Sequence, residues 1–311
     1  MRGTDRRTVG ILAVGLASLS FAAILVRYCS APAPVIAFWR MGLATLVLTP
    51  VLLGRLRREP WRPAIQARLL PYTLGAGALL AVHFATWIAS VQLTTVASSL
   101  ILMSAQPVWA GLLGYLFLSE PVPGRGLLAI VLAMAGVAVI AWGDLGRGPA
   151  GLAGDGLALV SGVAVAGYLT VGRHLRLKLP LTHYLVAVYG VSAVVLGGLV
   201  LGSGERFTGY DDRTWVMLGL LALLPSVVGH SLVNYAIRHM ETYRVNLSIL
   251  VEPVVSTILA AILFGEIPGA RFYLGAGCVV AGVVLALWLP SGGSLARSDR
   301  GLKRGLSPPG P

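Results

Sequence analysis

The sequence predicts an all-α integral membrane protein of ten transmembrane helices, arranged as two inverted five-helix repeats. Three observations predict it. Apolar residues make up 56% of the 311 positions and charged residues only 12%, whereas a soluble domain carries about 25% charged residues. Ten apolar segments approach the length of about 17–25 residues that a helix needs to cross a hydrocarbon core of about 30 Å. One pattern is also written twice, 146 positions apart: Pro107, Glu120 and Arg125 recur as Pro253, Glu266 and Arg271. Gly10 and Gly156, Arg27 and Arg173, Gly136 and Gly282, and Trp142 and Trp288 keep the same offset.

The first repeat, residues 9–143, holds spans near Val9–Cys29, Val35–Leu53, Leu69–Val91, Val96–Leu118 and Gly126–Trp142. The second, residues 154–289, holds Gly154–His174, Leu181–Leu201, Trp215–Ile237, Val245–Phe264 and Phe272–Leu289. Breakers stand where turns are needed, at Ser30-Ala-Pro-Ala-Pro34, Gly146-Arg-Gly-Pro149 and Ser203-Gly204; proline and glycine end helices there. Most connections are short, so neighbouring helices must run antiparallel in one bundle. The first apolar run follows arginines as a leader would, but it reaches span length without an Ala-x-Ala cleavage site, so a retained span is expected. Residues 290–311 turn to Ser, Gly, Pro and basic residues, the composition of a disordered tail.

Lysines and arginines set the orientation. With the N-terminus inside, eighteen lie on the inner side, and five (Arg27, Arg147, Arg206, Arg213 and Arg271) lie outside, with Arg40 inside a span. Positive charge is retained on the cytoplasmic side, so both termini are expected in the cytoplasm of a bacterium with the chain in its inner membrane. The net charge of +12 is thereby used as a topology signal, and no nucleic acid is needed to explain it. Because each repeat has an odd number of spans, the second enters the membrane upside down. Inverted repeats of this kind are common in secondary transporters, whose solute sites lie near the midplane where the repeats meet.

The polar residues inside the spans are the site candidates. Glu252 is the acid deep in an apolar span, costing about 2.5–3.5 kcal/mol at the bilayer centre, and Ser248 and Ser256 stand one turn away on either side. Its uncharged counterpart is Gln106, which can share a face with Ser99 and Trp109. His83 and Trp87 share one helix face, as do His230, Asn234 and Arg238 on the counterpart helix. Arg40, after Phe38-Trp39, either snorkels to the interface or pairs with Glu252 or an anionic solute. Pro107 and Pro253 remove a backbone donor inside matched spans and leave the carbonyls of Met103 and Ile249 unpaired, so each predicts a kink or hinge. Glu120 and Glu266 precede helices that begin at prolines, which suggests helix caps. Trp61, Trp142, Trp215 and Trp288 fit interface anchors, and Cys29 and Cys278 fit packing.

With these residues this chain resembles the drug/metabolite transporter superfamily, in its EamA branch. Phe38-Trp39-Arg40, Ala97–Glu120 with Pro107, and Glu252-Pro253 through Gly265-Glu266 carry the resemblance, which covers about Val9–Leu289. It implies a basket of ten helices around a central cavity and export of amino acids or related metabolites. It also implies that His83, Trp109 and Tyr168 stand near that cavity.

The function expected is a secondary transporter or facilitator of small polar organic solutes, working outward by alternating access. Its partners are then the solute and the lipid bilayer, with a coupled proton as an option and a monomer or homodimer as the assembly. No metal spacing, Walker A, His-Glu-x-x-His or Gly-x-Ser-x-Gly occurs, so neither a cofactor nor a metal is expected, and the chain is not expected to be an enzyme. Two rivals remain. One is a membrane enzyme acting on lipid, with His83, Glu252 and Arg40 as acid, base and phosphate clamp; the other is a partner protein that transports nothing.

Overall fold

The computed structural model describes residues 6–56, 63–94, 96–141, 149–264 and 270–288, and every regular element among them is helical. In chain order they are α1 (Arg6–Leu19), α2 (Ala22–Arg27), α3 (Ala33–Leu56), α4 (Pro63–Leu93), α5 (Val96–Met103), α6 (Gln106–Leu118), α7 (Gly124–Ala141), α8 (Pro149–Arg176) and α9 (Leu181–Ser203). Then follow α10 (Asp212–Leu221), a π-helical stretch (Ala222–His230), α11 (Ser231–Ala236), α12 (Thr242–Ile249), α13 (Val251–Phe264) and α14 (Ala270–Trp288). Among the described residues, seven continuous or nearly continuous helices are long and apolar enough to cross a membrane. Three more apolar helices, Gln106–Leu118, Gly124–Val139 and Tyr273–Trp288, are shorter. The expected cap Glu266, the anchors Trp61 and Trp142, and the tail 290–311 lie outside the described residues.

Proline explains two of the breaks inside expected spans. Pro107 cannot donate to Met103, nor Pro253 to Ile249. The first halves end at those two residues, and the second halves start at Gln106 and Val251. Gly162 of α8 approaches the freed Met103 carbonyl so closely that a Cβ would stand 2.8 Å from its oxygen. Two further irregularities were not foreseen: the first expected span is divided into α1 and α2, and Pro225 lies within the nine-residue π-helical stretch, in a segment expected as one regular span.

Helix crossings follow the 146-residue offset. A Cβ on Gly136 of α7 would meet the Gly275 carbonyl of α14 at 2.4 Å, and one on Gly282 of α14 would meet the Ala129 carbonyl of α7 at 2.7 Å. Gly275 is the counterpart of Ala129, and Gly282 that of Gly136, so each contact is the other's image, as across a two-fold axis. Similarly, Gly15 of α1 meets Gly229 of the π-helical stretch, and their counterparts Ser161 and His83 are hydrogen-bonded to each other. At the first crossing glycine lets two backbones touch; at its image the same space holds a polar pair.

Burial sorts the side chains by surroundings. The main core runs through α1–α5 and α8–α12, while α7, α12, α13 and α14 share a second cluster. The outer surface carries Val194, Phe117, Leu201, Ile262 and Trp288, each more than 70% exposed. Such a surface is stable in hydrocarbon, where internal helical hydrogen bonding satisfies the backbone.

The two ends of the bundle are tied differently. At one end, Ser30 donates its N–H to Thr214 Oγ1 at 3.0 Å, and Trp39 Nε1 donates to the Phe207 carbonyl at 2.7 Å. Trp215, read as an interface anchor, is partly buried there with its ring edge-on to Trp39. At the other end, Glu120 corrects the expectation for a cap on the following helix. Its Oε1 accepts from Arg173 Nε at 2.6 Å. Its Oε2 accepts from the backbone N–H and hydroxyl of Thr242, both at 3.1 Å. Glu120 thus caps α12, from the other half of the chain, because the chain reverses through Ser119 in a left-handed conformation and carries the carboxylate back across the bundle.

Candidate functional site

The interior of the bundle contains a small cavity into which several polar side chains project, and the pattern of α3 explains how an arginine reaches it. Ile36, Ala37, Arg40, Met41 and Ala44 repeat every three or four residues, and all are buried. Arg40 therefore lies on the inward face, 1% exposed, rather than snorkelling to the interface. Its Nε donates to Ser226 Oγ at 2.8 Å, and its guanidinium carbon lies 4.1 Å from the Phe84 ring centroid and 5.8 Å from that of Trp87. The π-helical stretch supplies Ser226 and His230, and α4 supplies His83, Phe84 and Trp87 in two turns. The His83 and Trp87 rings are near parallel, with centroids 6.4 Å apart.

His83 is oriented by Ser161. The serine hydroxyl donates to the His83 carbonyl at 3.2 Å, so it accepts from His83 Nδ1 at 2.8 Å. The neutral ring then carries its proton on Nδ1 and keeps Nε2 as an acceptor. The opposite wall comes from the broken helices. Gln106 is the first residue of α6 and Glu252 lies in the first turn of α13, where unpaired amides make the helix end electropositive. Gln106 Nε2 donates to the Asn246 carbonyl of α12 at 3.3 Å.

Arg40, His83, Phe84, Trp87, Gln106, His230 and Glu252 all line this cavity, which encloses about 30 Å³ among apolar neighbours such as Leu19, Met103 and Leu169. Four buried polar atoms of its lining have no hydrogen-bond partner among the described residues: Arg40 Nη1, Trp87 Nε1, Gln106 Oε1 and His230 Nδ1. Each such atom ordinarily costs about 1–3 kcal/mol. Four around one cavity are an arrangement that a polar ligand satisfies.

Other sequence candidates stand elsewhere. Trp109 does not reach the cavity: α6 turns it to the outer surface, where it is 39% exposed. Tyr168 and Asn234 are fully buried but do not line the cavity. Asn234 Nδ2 donates to Tyr168 Oη at 2.6 Å and to the His230 carbonyl at 2.7 Å, so the pair braces the turn that carries His230. Arg238 is exposed. Ser248 bonds back to Arg244, and Ser256 donates to the Ser20 carbonyl at the break between α1 and α2. Sequence reasoning missed Phe84, Ser161 and Ser226. A trace of Ser161 was present, since it falls 146 positions after Gly15, but nothing local marks Ser226 as the partner of an arginine 186 residues away.

The profile of the EamA-like transporter family matches residues 8–142 and again residues 152–288. The chain belongs to the EamA-like transporter family. An uncharacterized transporter of Archaeoglobus fulgidus is 27% identical over 288 residues, covering 89% of this chain and 96% of the relative. A probable terminal-alkyne amino-acid exporter of Streptantibioticus cattleyicolor is 26% identical over 215 residues, covering 68% and 67% respectively. One solved crystal structure shares the fold with a TM-score of 0.72 at 16% identity, over 90% of this chain and 96% of that one. Membership of the EamA-like family makes this a multi-pass membrane transporter, with a small-molecule solute and the bilayer as its partners.

Proposed function

We propose that this EamA-like protein is a secondary transporter of small solutes carrying both a carboxylate and an ammonium group, amino acids foremost. In this reading two inverted five-helix repeats, residues 9–143 and 154–289, alternate access to the central cavity. Transport is outward across a bacterial inner membrane, with both termini cytoplasmic. The observation that carries the proposal is the set of four unpartnered polar atoms around one cavity. Arg40 Nη1 and Trp87 Nε1 are donors suited to a carboxylate. Gln106 Oε1 and the Glu252 carboxylate are acceptors suited to an ammonium. The name of the Streptantibioticus relative points to the same solute class.

The size of the cavity supports a moving mechanism. Its 30 Å³ has room for about two waters, since one needs about 10–15 Å³ by this measure. A solute enters only when the surrounding helices part. Breaks before Gln106 and Val251 and the π-helical stretch are where backbone angles can change at least cost, which supports hinge roles for Pro107 and Pro253 in this reading. Glu252, with His83 and His230 around the same cavity, also provides groups that can exchange a proton with the solute's ammonium.

Solute flux in proteoliposomes, with and without a pH gradient, tests this for the parent and for Glu252→Gln. Weakened solute affinity or a lost pH response is expected in the variant. Unchanged affinity together with unchanged pH dependence removes Glu252 from the mechanism. Recovery of chemically converted rather than displaced solute would replace transport with catalysis.

A further inference from the structure

A second, larger space lies on the outer surface between α4, α6 and α8. It encloses about 540 Å³, is predominantly apolar, and includes Leu79, Leu113, Phe117 and Val163 in its walls. Gly167 forms part of its floor, where a Cβ would come within 3.2 Å of Leu79. Its mouth is open to the surroundings: Phe117 is 73% exposed and Tyr72 is 48% exposed. Along α8 the lining runs from Val163 to His174, eleven residues or about 16 Å at the helical rise. That is about half of a hydrocarbon core of about 30 Å, the depth of one leaflet.

One end of the groove is basic. The His174 and Tyr72 rings stand 4.9 Å apart, and Lys178 Nζ donates to His174 Nε2 at 2.9 Å. The neutral His174 ring then carries its proton on Nδ1 as a further donor. Arg68, exposed on α4, lies one turn before Tyr72 and so shares its helix face. Among the described residues, no acid belongs to the lining. An apolar slot one leaflet deep with an amphipathic, cationic rim matches one partner in its surroundings.

We propose that this groove is a specific site for an anionic glycerophospholipid. One acyl chain lies along Val163, Gly167 and Leu113, and the phosphate sits against Arg68, His174 and Lys178. The proposal is independent of the solute assigned to the central cavity, because none of these residues lines that cavity.

Native mass spectrometry of the purified, delipidated protein, given equal amounts of phosphatidylglycerol and phosphatidylcholine with identical chains, tests it. The parent is expected to retain phosphatidylglycerol at least tenfold over phosphatidylcholine. Lys178→Gln and Arg68→Gln should each lower that ratio by roughly fivefold, the contribution of about one basic residue at an anionic surface. Val163→Trp, or Leu113→Phe if the first variant fails to fold, should cut retention of both lipids by filling the slot. Equal retention of the two lipids by the parent overturns the proposal. So does a preference that survives both charge removals, or retention unaffected by filling the groove.

Discussion

Replacing Glu120 with alanine should be among the most destabilising single changes in this protein. The carboxylate holds three groups: Arg173 Nε at 2.6 Å, and the N–H and hydroxyl of Thr242 at 3.1 Å each. Side-chain exposures of 2% for Arg173 and 10% for Glu120 put the pair in a water-poor setting. Removing one partner of a buried pair leaves the other charge uncompensated and costs about 3–5 kcal/mol; loss of the cap on α12 adds about 1 kcal/mol. Arg173 keeps its bond to the Ile237 carbonyl at 2.6 Å, which holds the expectation to about 4 kcal/mol. Replacing both Glu120 and Arg173 by hydrophobic residues of similar volume should cost markedly less than the sum of the two single changes. Unfolding free energies measured by denaturing-detergent titration in mixed micelles complete the double-mutant cycle. A Glu120→Ala cost below about 1 kcal/mol, or a coupling energy near zero, would refute the view that this pair locks the two halves of the chain at one end.

Other consequences are equally direct. Gly136→Ala and Gly282→Ala each drive a methyl into a facing carbonyl, at 2.4 Å and 2.7 Å, and should each cost about 1–3 kcal/mol; unfolding titrations should find similar losses for the two if the crossing is two-fold symmetric. Arg40→Lys keeps the charge but loses the Nε bond to Ser226 and the planar contact with Phe84. Calorimetric affinity for an amino acid should fall at least about tenfold, given about 1.5–3 kcal/mol for a charge-assisted hydrogen bond, while affinity for the corresponding amide changes little. At the other end of the bundle, hydrogen bonds from Thr214 and Ser30 hold the Asp211 carboxyl below its ordinary 3.8. A carboxyl with a depressed value stabilises the folded state above its unfolded value, and the contribution is lost as pH falls through the folded one. The protection of amides at the start of α10, taken relative to the intrinsic exchange rate at each pH, should therefore fall below about pH 4 in the parent, and Asp211→Asn should abolish that fall.

Much of this was legible in the chain because it depends on local chemistry. Pro107 and Pro253 remove a donor whatever surrounds them, and the helices end at Met103 and Ile249 as that loss requires. Arg40, His83, Trp87, Gln106, His230 and Glu252 stood out because polar groups are costly in an apolar span, and the fold brings all six to one cavity. Trp109 also stood out, but the direction of a side chain depends on how α6 is rotated, and tertiary packing turns it outward. Asn234 donates to Tyr168 and neither faces the cavity, a pairing between residues 66 positions apart that no local pattern announces.

By itself the sequence determined the solvent, the helical class, the repeated pattern and the polar residues demanding partners, since composition, period and donor count are properties of short segments. Only the tertiary structure decided which partners those residues found. Glu120 caps a helix 122 positions away, Arg40 is held by Ser226, and four polar atoms around one cavity find no partner among the described residues. Those outcomes depend on helix rotation and on crossings such as Gly136 with Gly275, where the energy belongs to surfaces in contact and is absent from either helix alone.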